Sequence, residues 1–264
     1  MSEYQTVRWE VEGRGARLTL NRPERRNVLD PQMLSELLQI LDQCRRNQEL
    51  NVVVVTGAGP AFCGGVDINT PFFMENVQTT SVFEGTRLLN WQHELIAALY
   101  ELPQATIAMV NGVAVGGGGF GMAMACDMRF AIQGARFWMI PLAVALVQDY
   151  GLTWLLQRVC GQARTFEMVM SGAQITAEQG EAWGFLNRAF PTREALEAHV
   201  AQLAASIAAG EPDSVRLLKQ IIRNGATSPL RDQLQLEAIT NGLCFQSEQF
   251  RERKRRYLEG LRRK

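Results

Sequence analysis

Val110–Gly121 reads VNGVAVGGGGFG, an apolar strand-like run that breaks into glycines and continues into the helical pattern of Met122 to Cys126. Glycine lets a backbone turn tightly and approach a ligand closely, so consecutive N–H groups at the start of this helix form a site for developing negative charge. The pattern predicts a strand, a glycine turn and a helix, with an anion-stabilising site at the turn.

A second glycine turn lies upstream of the first. Residues 52–56 read VVVVT, a run typical of a buried strand, and the chain continues through Gly57 and Pro60 to AFCGGVDI at residues 61–68. A single glycine run more often marks close packing than a binding site. Two such turns can each point one N–H group at the same oxygen, and the pair therefore indicates a two-donor oxyanion hole.

The order and the amino-acid sequences of these two turns resemble those of the crotonase, or enoyl-CoA hydratase/isomerase, superfamily, whose signature is AFCxGxD followed by NGxxxGGG. The resemblance begins at LTLNRPERRNVL (residues 18–29) and continues through GQAR (161–164) into the C-terminal helix. It implies an α/β fold, the ClpP/crotonase-like spiral of ββα units with a C-terminal helical region. Residues 1–195 would form the spiral core with the acyl-CoA site, and residues 196–264 a helical oligomerisation region.

Members of this superfamily bind acyl-CoA thioesters and stabilise an enolate-like anion at the thioester oxygen. The resemblance implies that the substrate is a thioester of CoA or of an acyl carrier protein, that no other cofactor is permanently bound, and that the chain forms a homotrimer or a dimer of trimers. It assigns the oxyanion hole to Val66 with Gly117 or Gly118. CoA contacts are assigned to Arg25, Arg26, Asn27, Val28, Gly64, Asp67, Ile68 and, from a neighbouring subunit, Tyr257; the acyl pocket of the family varies near Phe72, Phe73, Met74 and Phe83.

The two glutamates that hydratases of this superfamily place over the substrate are missing here. The first would fall at Phe120 or Gly121, because the extra glycine leaves the alignment ambiguous by one residue. The second would fall in the IPL segment at residues 140–142. Addition of water to a double bond normally needs two acid–base groups, whereas a proton shuttle needs only one. The sequence therefore favours isomerisation or rearrangement over hydration.

Asp149 is the carboxylate in the apolar stretch PLAVALVQDYGLTW, residues 141–154, and is the predicted catalytic base. On its own it could also cap a helix that begins at Tyr150. The segment from Val147 to Val159 resembles the 1,2-epoxyphenylacetyl-CoA isomerases, which use the aspartate of a PDxGxTW run as a base. The same position is the acidic catalyst in dienoyl-CoA isomerases and the nucleophile in 4-chlorobenzoyl-CoA dehalogenases.

His93 is the second candidate catalytic residue. A lone histidine is more often structural than catalytic, but this one falls where the chlorobenzoyl-CoA dehalogenases carry the histidine that activates water. An alternative function is therefore hydrolysis, as a dehalogenase or thioester hydrolase, with Asp149 as nucleophile and His93 as base. Against it, Pro141 replaces the tryptophan that binds the dehalogenase nucleophile. An enoyl-CoA hydratase or a non-catalytic acyl-CoA-binding paralogue stays open as a further alternative.

The periodicity predicts alternating strands and helices up to about residue 150 and an almost wholly helical chain thereafter. Predicted strands include residues 17–20, 105–110 and 128–132, and predicted helices residues 31–44 and 82–102. The helix from Glu194 to Ala209 looks surface-exposed, and His199 on it is predicted to face solvent.

Composition argues for a cytoplasmic protein without nucleic-acid or membrane partners. The 264 residues carry 27 basic and 27 acidic side chains, so no global charge attracts nucleic acid. Residues 251–264 hold a basic cluster that is either a solvated helix end or an attraction for a polyphosphate. The five cysteines lack metal-ligand spacing, which favours reduced thiols. The N-terminus lacks the regions of a signal peptide, and no segment is apolar enough to span a bilayer.

Overall fold

The computed structural model describes residues 4–67 and 81–262. The strands are β1 (Val7–Glu12), β2 (Gly15–Leu20), β3 (Val52–Gly57), β4 (Ala61–Cys63), β5 (Ala105–Val110), β6 (Val113–Val115), β7 (Met128–Ile132), β8 (Arg136–Trp138), β9 (Ile175–Thr176) and β10 (Arg188–Phe190). The helices are α1 (Pro31–Arg46), α2 (Val82–Tyr100), α3 (Met122–Ala125), α4 (Leu152–Ser171), α5 (Ala177–Ala182), α6 (Arg193–Ala208), α7 (Pro212–Gly225), α8 (Leu230–Gln246) and α9 (Glu248–Arg262). The strands and helices predicted from periodicity are present, while strands β1, β4, β8, β9 and β10 were not predicted.

Two sheets run through the described part of the chain. The larger has the order β1-β2-β3-β5-β7-β10, and the smaller β4-β6-β8-β9. β1 and β2 form an antiparallel hairpin, the other neighbours in the large sheet are parallel, and β9 lies antiparallel to β8. Within the described residues the order strand, strand, helix occurs four times, ending with α4. From β3 to β8, each such pair sends its first strand to the large sheet and its second to the small one, which is the expected spiral of ββα units.

The large sheet separates two apolar clusters because successive side chains of a strand point to opposite faces. In β3, Val53 and Val55 belong to the main core, whereas Val52 and Val54 belong to the second cluster beneath α6. All six residues of β3 are buried, as the VVVVT run predicted. The main core also takes the apolar stripe of α1, whose N-terminus is capped by the Asp30 carboxylate 2.8 Å from the Met33 nitrogen.

α6 packs on the large sheet, and one prediction about it is wrong. Leu196 and Val200 of this helix are fully buried in the second cluster. His199 is only partly exposed: its ring packs against those of Phe130 and Phe190, at centroid distances of 4.8 and 4.9 Å. The predicted domain boundary between residues 195 and 196 falls inside this helix. The division stays a prediction, and the packing groups α6 with the spiral core.

α7 is attached to the core through the Asp127 carboxylate. On the core side, the Thr106 N–H and hydroxyl bind this carboxylate at 2.8 and 2.9 Å. On the α7 side, Lys219 Nζ lies 2.8 Å and Arg223 Nη2 2.7 Å from it. Burial lowers the pKa of Lys219, although the Asp127 charge opposes part of that change. Outward on the same helix, Leu218 and Ile222 are exposed.

Glu36 on α1 should contribute measurable, pH-dependent stability. Its carboxylate accepts hydrogen bonds from the Gln5 N–H at 3.0 Å, the Thr6 N–H at 2.9 Å and the Thr6 hydroxyl. Burial by itself would raise the pKa of Glu36, but these hydrogen bonds outweigh it and the pKa is lowered. A lowered folded-state pKa adds stability that is fully present above the unfolded value of about 4.3 and is lost as the pH falls through the folded pKa.

We therefore expect Glu36→Gln to lower the free energy of unfolding at pH 7 by about 1–3 kcal/mol, because an NH₂ group replaces one acceptor oxygen facing N–H donors. Urea unfolding at a series of pH values from 7 down to 3.5 measures the difference from the parent protein. That difference should shrink below pH 4. Glu10→Gln, on the exposed side of β1, is the matched control, and an equal effect of the two substitutions would contradict the assignment.

Candidate active site

The two glycine turns predicted from the sequence contact each other. Gly117–Gly121 forms one turn of π-helix between β6 and α3, entered through Gly116 with φ of 59°, a left-handed conformation that favours glycine. A Cβ atom added to Gly112 would lie 1.9 Å from the carbonyl oxygen of Pro60, which belongs to the upstream turn. A side chain at residue 112 would force the turns apart.

Val66 and Gly118 lie beside each other where these turns meet. The Leu29 N–H binds the Gly65 carbonyl, and the Asp67 N–H binds the Leu29 carbonyl, both at 2.8 Å. In this parallel bridge the N–H of Val66 points away from Leu29. A Cβ added to Gly118 would lie 3.4 Å from the Val66 nitrogen, whereas one added to Gly117 would lie 2.4 Å from the Tyr150 side chain. Of the two candidate glycines, Gly118 is the neighbour of Val66.

Asp149 and His93, predicted separately, come together in the structure. Asp149 Oδ2 lies 3.7 Å from His93 Nε2, and each side chain is about one-third exposed, at 36% and 35%. His93 is on α2, and Asp149 is in the segment before α4. The Tyr150 N–H donates to His93 Nε2 at 3.4 Å.

The alternative role of Asp149 as a helix cap does not match the geometry. α4 begins at Leu152, not at Tyr150, because Tyr150 and Gly151 are both left-handed, with φ of 54° and 64°. Gly151 is the N-cap residue, and no side chain caps this helix. Leu146 and Val147, the apolar residues shortly before Asp149 in the chain, are 56% and 84% exposed. Solvent therefore reaches the Asp149 side chain, which is 36% exposed.

The positions of the two hydratase glutamates hold no carboxylate. Phe120 is fully buried, and its ring packs against Phe137 and Phe185 at centroid distances of 4.9 and 5.3 Å. Gly121 has no side chain, so either alignment of the glycine run leaves the first position without an acid. At the second position Pro141 is buried and begins a short 3₁₀ turn.

Most of the residues predicted to contact CoA lie in two segments, residues 25–28 and 64–67, and several of their side chains bind within the protein. The fully buried Asn27 amide donates to the carbonyls of Ala58 and Ala61 at 2.9 Å. The Asp67 carboxylate, 4% exposed by residue, pairs with Arg25 at 2.9 Å. A Cβ added to Gly64 would lie 2.9 Å from Val28 Cγ1. These contacts hold residues 25–28 against residues 64–67, so the side chains of Asn27 and Asp67 have internal partners.

The remaining predicted contacts are exposed or lie outside the described residues. Arg26 is exposed, and Tyr257 on α9 is 69% exposed. Ile68, Phe72, Phe73 and Met74 lie outside the described residues, whereas Phe83 on α2 is 85% exposed. All assigned roles in CoA and acyl binding stay predictions.

The sequence analysis did not identify Tyr150 and Gln92 as site residues. The Tyr150 hydroxyl donates to Gln92 Oε1 at 2.9 Å, and both residues are buried. Their only signal is position, since they directly adjoin Asp149 and His93. A tyrosine with positive φ cannot be read from a residue pattern, because that conformation is typical of glycine and asparagine.

Comparisons with known proteins place the chain among crotonase-fold enzymes. The enoyl-CoA hydratase/isomerase family model matches residues 12–264. This chain belongs to that family. A 1,2-epoxyphenylacetyl-CoA isomerase from Escherichia coli is 35% identical over 237 residues, covering 89% of this chain and 88% of the relative. A probable enoyl-CoA hydratase from Rhodobacter capsulatus is 35% identical over 260 residues, covering 97% and 96%.

A crystal structure of a hydratase-like relative has the same fold. The putative enoyl-CoA hydratase from Thermobifida fusca, solved in complex with CoA, superposes with a TM-score of 0.80 at 26% identity, covering 91% of this chain and 93% of that one. The chain is thus an enzyme of the enoyl-CoA hydratase/isomerase family with the crotonase fold, as the two glycine turns predicted. The relatives carry both isomerase and hydratase names, so family membership does not fix the reaction.

The described residues contain neither a membrane-spanning helix nor a cluster of metal ligands. Among the helices in residues 4–67 and 81–262, none combines the length and apolar character needed to cross a membrane. In the same residues, no three His, Cys, Asp or Glu side chains are grouped as metal ligands would be.

Proposed function

We propose that this enzyme isomerises or rearranges the acyl group of a CoA thioester by moving a proton, with Asp149 as the base. The observation that carries the proposal is the place of Asp149: a partly exposed carboxylate 3.7 Å from His93, in a site whose two hydratase positions hold no acid. One carboxylate can take a proton from one carbon and return it to another. Hydration of a double bond would require a second group at Phe120, Gly121 or Pro141.

The N–H groups of Val66 and Gly118 are proposed to bind the thioester oxygen. Removing a proton next to a thioester places negative charge on that oxygen, and N–H groups fixed by the fold stabilise the charge without reorganising. Each donor of this kind contributes about 3 kcal/mol to the transition state in other enzymes. Val66 is held by the bridge to Leu29, and Gly118 lies in the first turn of the π-helix, where N–H groups have no partner within the helix. Both donors are therefore fixed before substrate arrives.

CoA is proposed to bind along the unit formed by residues 25–28 and 64–67. The exposed guanidinium groups of Arg25 and Arg26 suit its phosphates, and the backbone of Asn27 and Val28 suits its adenine. Asn27 and Asp67 would act indirectly, because their side chains hold this unit together. The CoA complex of the Thermobifida fusca relative supports CoA as the carrier in preference to an acyl carrier protein.

Hydrolysis through an ester on Asp149 is the second candidate function, favoured by the 3.7 Å separation of Asp149 from His93. In that reaction His93 must accept a proton from water. Its Nε2 already accepts the Tyr150 N–H, so water could reach that nitrogen only after this bond is broken. The geometry thus suits His93 better as a lining residue than as a base. Reaction in heavy-oxygen water followed by mass spectrometry of the Asp149 peptide distinguishes hydrolysis from proton transfer. Only hydrolysis through the ester incorporates heavy oxygen into the Asp149 carboxylate.

Turnover of a panel of enoyl-CoA and dienoyl-CoA thioesters tests the proposal. Ultraviolet absorbance follows movement of the double bond, and we expect isomerisation of at least one panel member. Crotonyl-CoA is the hydration control, and we expect its hydration to stay well below about 10 per second, a typical enzymatic turnover. Hydration at or above that rate would refute the isomerase proposal. A chain that binds the thioesters but turns over none of them would instead support a non-catalytic paralogue.

We further propose that the chain forms a homotrimer or a dimer of trimers through its C-terminal helices. Leu218, Ile222, Leu234, Leu243 and Phe245 on α7 and α8 are all more than half exposed in the single chain. Several large apolar side chains exposed on neighbouring helices are typical of a subunit interface. Sedimentation velocity at micromolar concentration should show trimers or larger species, and Ile222→Glu combined with Leu243→Glu should shift them toward monomer. A parent protein that sediments only as monomer would contradict the proposal, including the position of Tyr257 beside a neighbour's CoA.

A further inference from the structure

Tyr150 connects three parts of the candidate active site. Its hydroxyl donates to Gln92 on α2 at 2.9 Å, and its N–H donates to His93 Nε2 on the same helix at 3.4 Å. Its side chain covers the glycine turn, since a Cβ added to Gly117 would lie 2.4 Å from Tyr150 Cβ and Cδ2. Asp149 is the preceding residue of the chain. A displacement of Tyr150 would therefore also displace groups on α2, in the glycine turn and at the predicted base.

The conformation of Tyr150 is one that a side chain rarely adopts without support. Its φ of 54° is in the left-handed region, which is unfavourable for a bulky residue. The residue is 2% exposed, and the buried Gln92 amide meets the hydroxyl at the far end of the ring. The His93 ring lies edge-on to the Tyr150 ring, with centroids 5.0 Å apart and planes at 67°. Contacts at both ends of the residue therefore hold the strained backbone beside Asp149.

From these contacts we infer that Tyr150 is a positioning residue: its hydroxyl bond to Gln92 fixes the ring against Gly117 and so sets the place of Asp149 and His93 relative to the oxyanion turn. The inference rests on the proposed function and adds a residue outside the reacting groups. The steric need for glycine at residue 117 follows from the same contact, because the Tyr150 ring fills the space a side chain would take.

The Tyr150 hydroxyl is suited to donating a hydrogen bond and not to taking a proton. Burial raises its pKa, and the neighbouring Asp149 charge raises it further. It therefore stays protonated over the working pH range and keeps Gln92 Oε1 as its acceptor. A direct acid–base role would need an ionisable hydroxyl near neutral pH.

Tyr150→Phe tests the inference by removing only the hydroxyl. We expect kcat on the substrate found in the panel to fall about tenfold or more, as for other small misplacements of a reacting group, with KM little changed because the CoA contacts are remote. The double variant Tyr150→Phe with Gln92→Met is the control for stability. It removes the acceptor that the single change leaves unsatisfied, so the thermal midpoint should recover while kcat stays low. Recovery of kcat together with the midpoint would show that the bond is structural only.

A spectroscopic readout tests the positioning without turnover. The chain has two histidines, so ¹³C labelling at Cε1 gives one signal for His93 and one for His199. His199 packs between Phe130 and Phe190 and serves as the internal reference. In Tyr150→Phe the His93 signal should shift and the His199 signal should not. If the His93 signal of Tyr150→Phe is unshifted, the inference is wrong, whether or not the parent enzyme is active. If that signal shifts but the parent enzyme is inactive, the result counts against the proposed function alone.

Discussion

Asp149→Asn is expected to lower turnover at least about 100-fold, the scale of a positioned general base, while leaving thioester binding intact. The amide has nearly the same size as the carboxylate but cannot take a proton. Val66, Gly118 and the proposed CoA contacts are unchanged, so the dissociation constant for a substrate thioester should stay near that of the parent enzyme. Stopped-flow or steady-state turnover, together with calorimetric binding, measures both quantities.

His93→Gln is the matched control, because it alters the partner of Asp149 at 3.7 Å and leaves the carboxylate in place. If Asp149 is the proton shuttle, this substitution should cost much less turnover than Asp149→Asn. If the reaction is hydrolytic, it should instead stall an ester on Asp149, visible as a mass increase of the intact protein. Full activity of Asp149→Asn on a confirmed substrate would show that the site assignment is wrong.

Gly118→Ala is expected to lower turnover about 100-fold, because the alanine keeps the N–H donor but its methyl group displaces the thioester oxygen from the two donors. The added methyl group would lie 3.4 Å from the Val66 nitrogen, crowding the position proposed for the thioester oxygen. Its nearest neighbour is Leu29 Cδ1 at 2.8 Å, the far end of a flexible side chain that can move aside. The fold should therefore tolerate the substitution better than the reaction does. Turnover and thermal unfolding of the same preparation separate the two effects.

Gly121→Ala is the control for this prediction. It makes the same chemical change three residues further along, where the backbone is helical, with φ of −60°, and the nearest atoms to a new Cβ are 3.4 Å away in Tyr150. Alanine favours such a conformation. Turnover should stay close to that of the parent enzyme. Equal losses in the two variants would mean that the glycine run matters for packing and not for the oxyanion.

The residue pattern was sufficient to predict alternating strands and helices and the meeting of the two glycine turns, and the resemblance to the crotonase superfamily implied the ββα spiral. A run such as VVVVT at residues 52–56 is typical of a strand buried on both faces. Glycines that interrupt such a run indicate a turn of the chain. The separation of Asp149 and His93 by 56 positions, counted from their residue numbers, gave no local signal of proximity. Their pairing could be anticipated only through resemblance to known enzymes, and the structure brings them within 3.7 Å.

Other features were beyond prediction because they depend on partners distant in the chain. An amphipathic helix such as α6 shows which of its faces is apolar but not what covers that face, and His199 was therefore misplaced. The left-handed backbone of Tyr150 has no residue signature, so the start of α4 was set two residues too early. Likewise, the choice of Gly118 over Gly117 depends on where Leu29 and Tyr150 pack.

The attachment of α7 through Asp127 affects which residues of an enzyme with this fold can change during evolution. A few polar contacts at fixed points, from Lys219 and Arg223 to one carboxylate, hold the helix on the core. Its outward residues Leu218 and Ile222 take no part in that attachment, so they are free to change without disturbing the sheet or the site beneath it. If the proposed assembly forms through these residues, selection can change the contacts between subunits while the reacting groups stay in place, so that quaternary structure and chemistry evolve on separate residues of one chain.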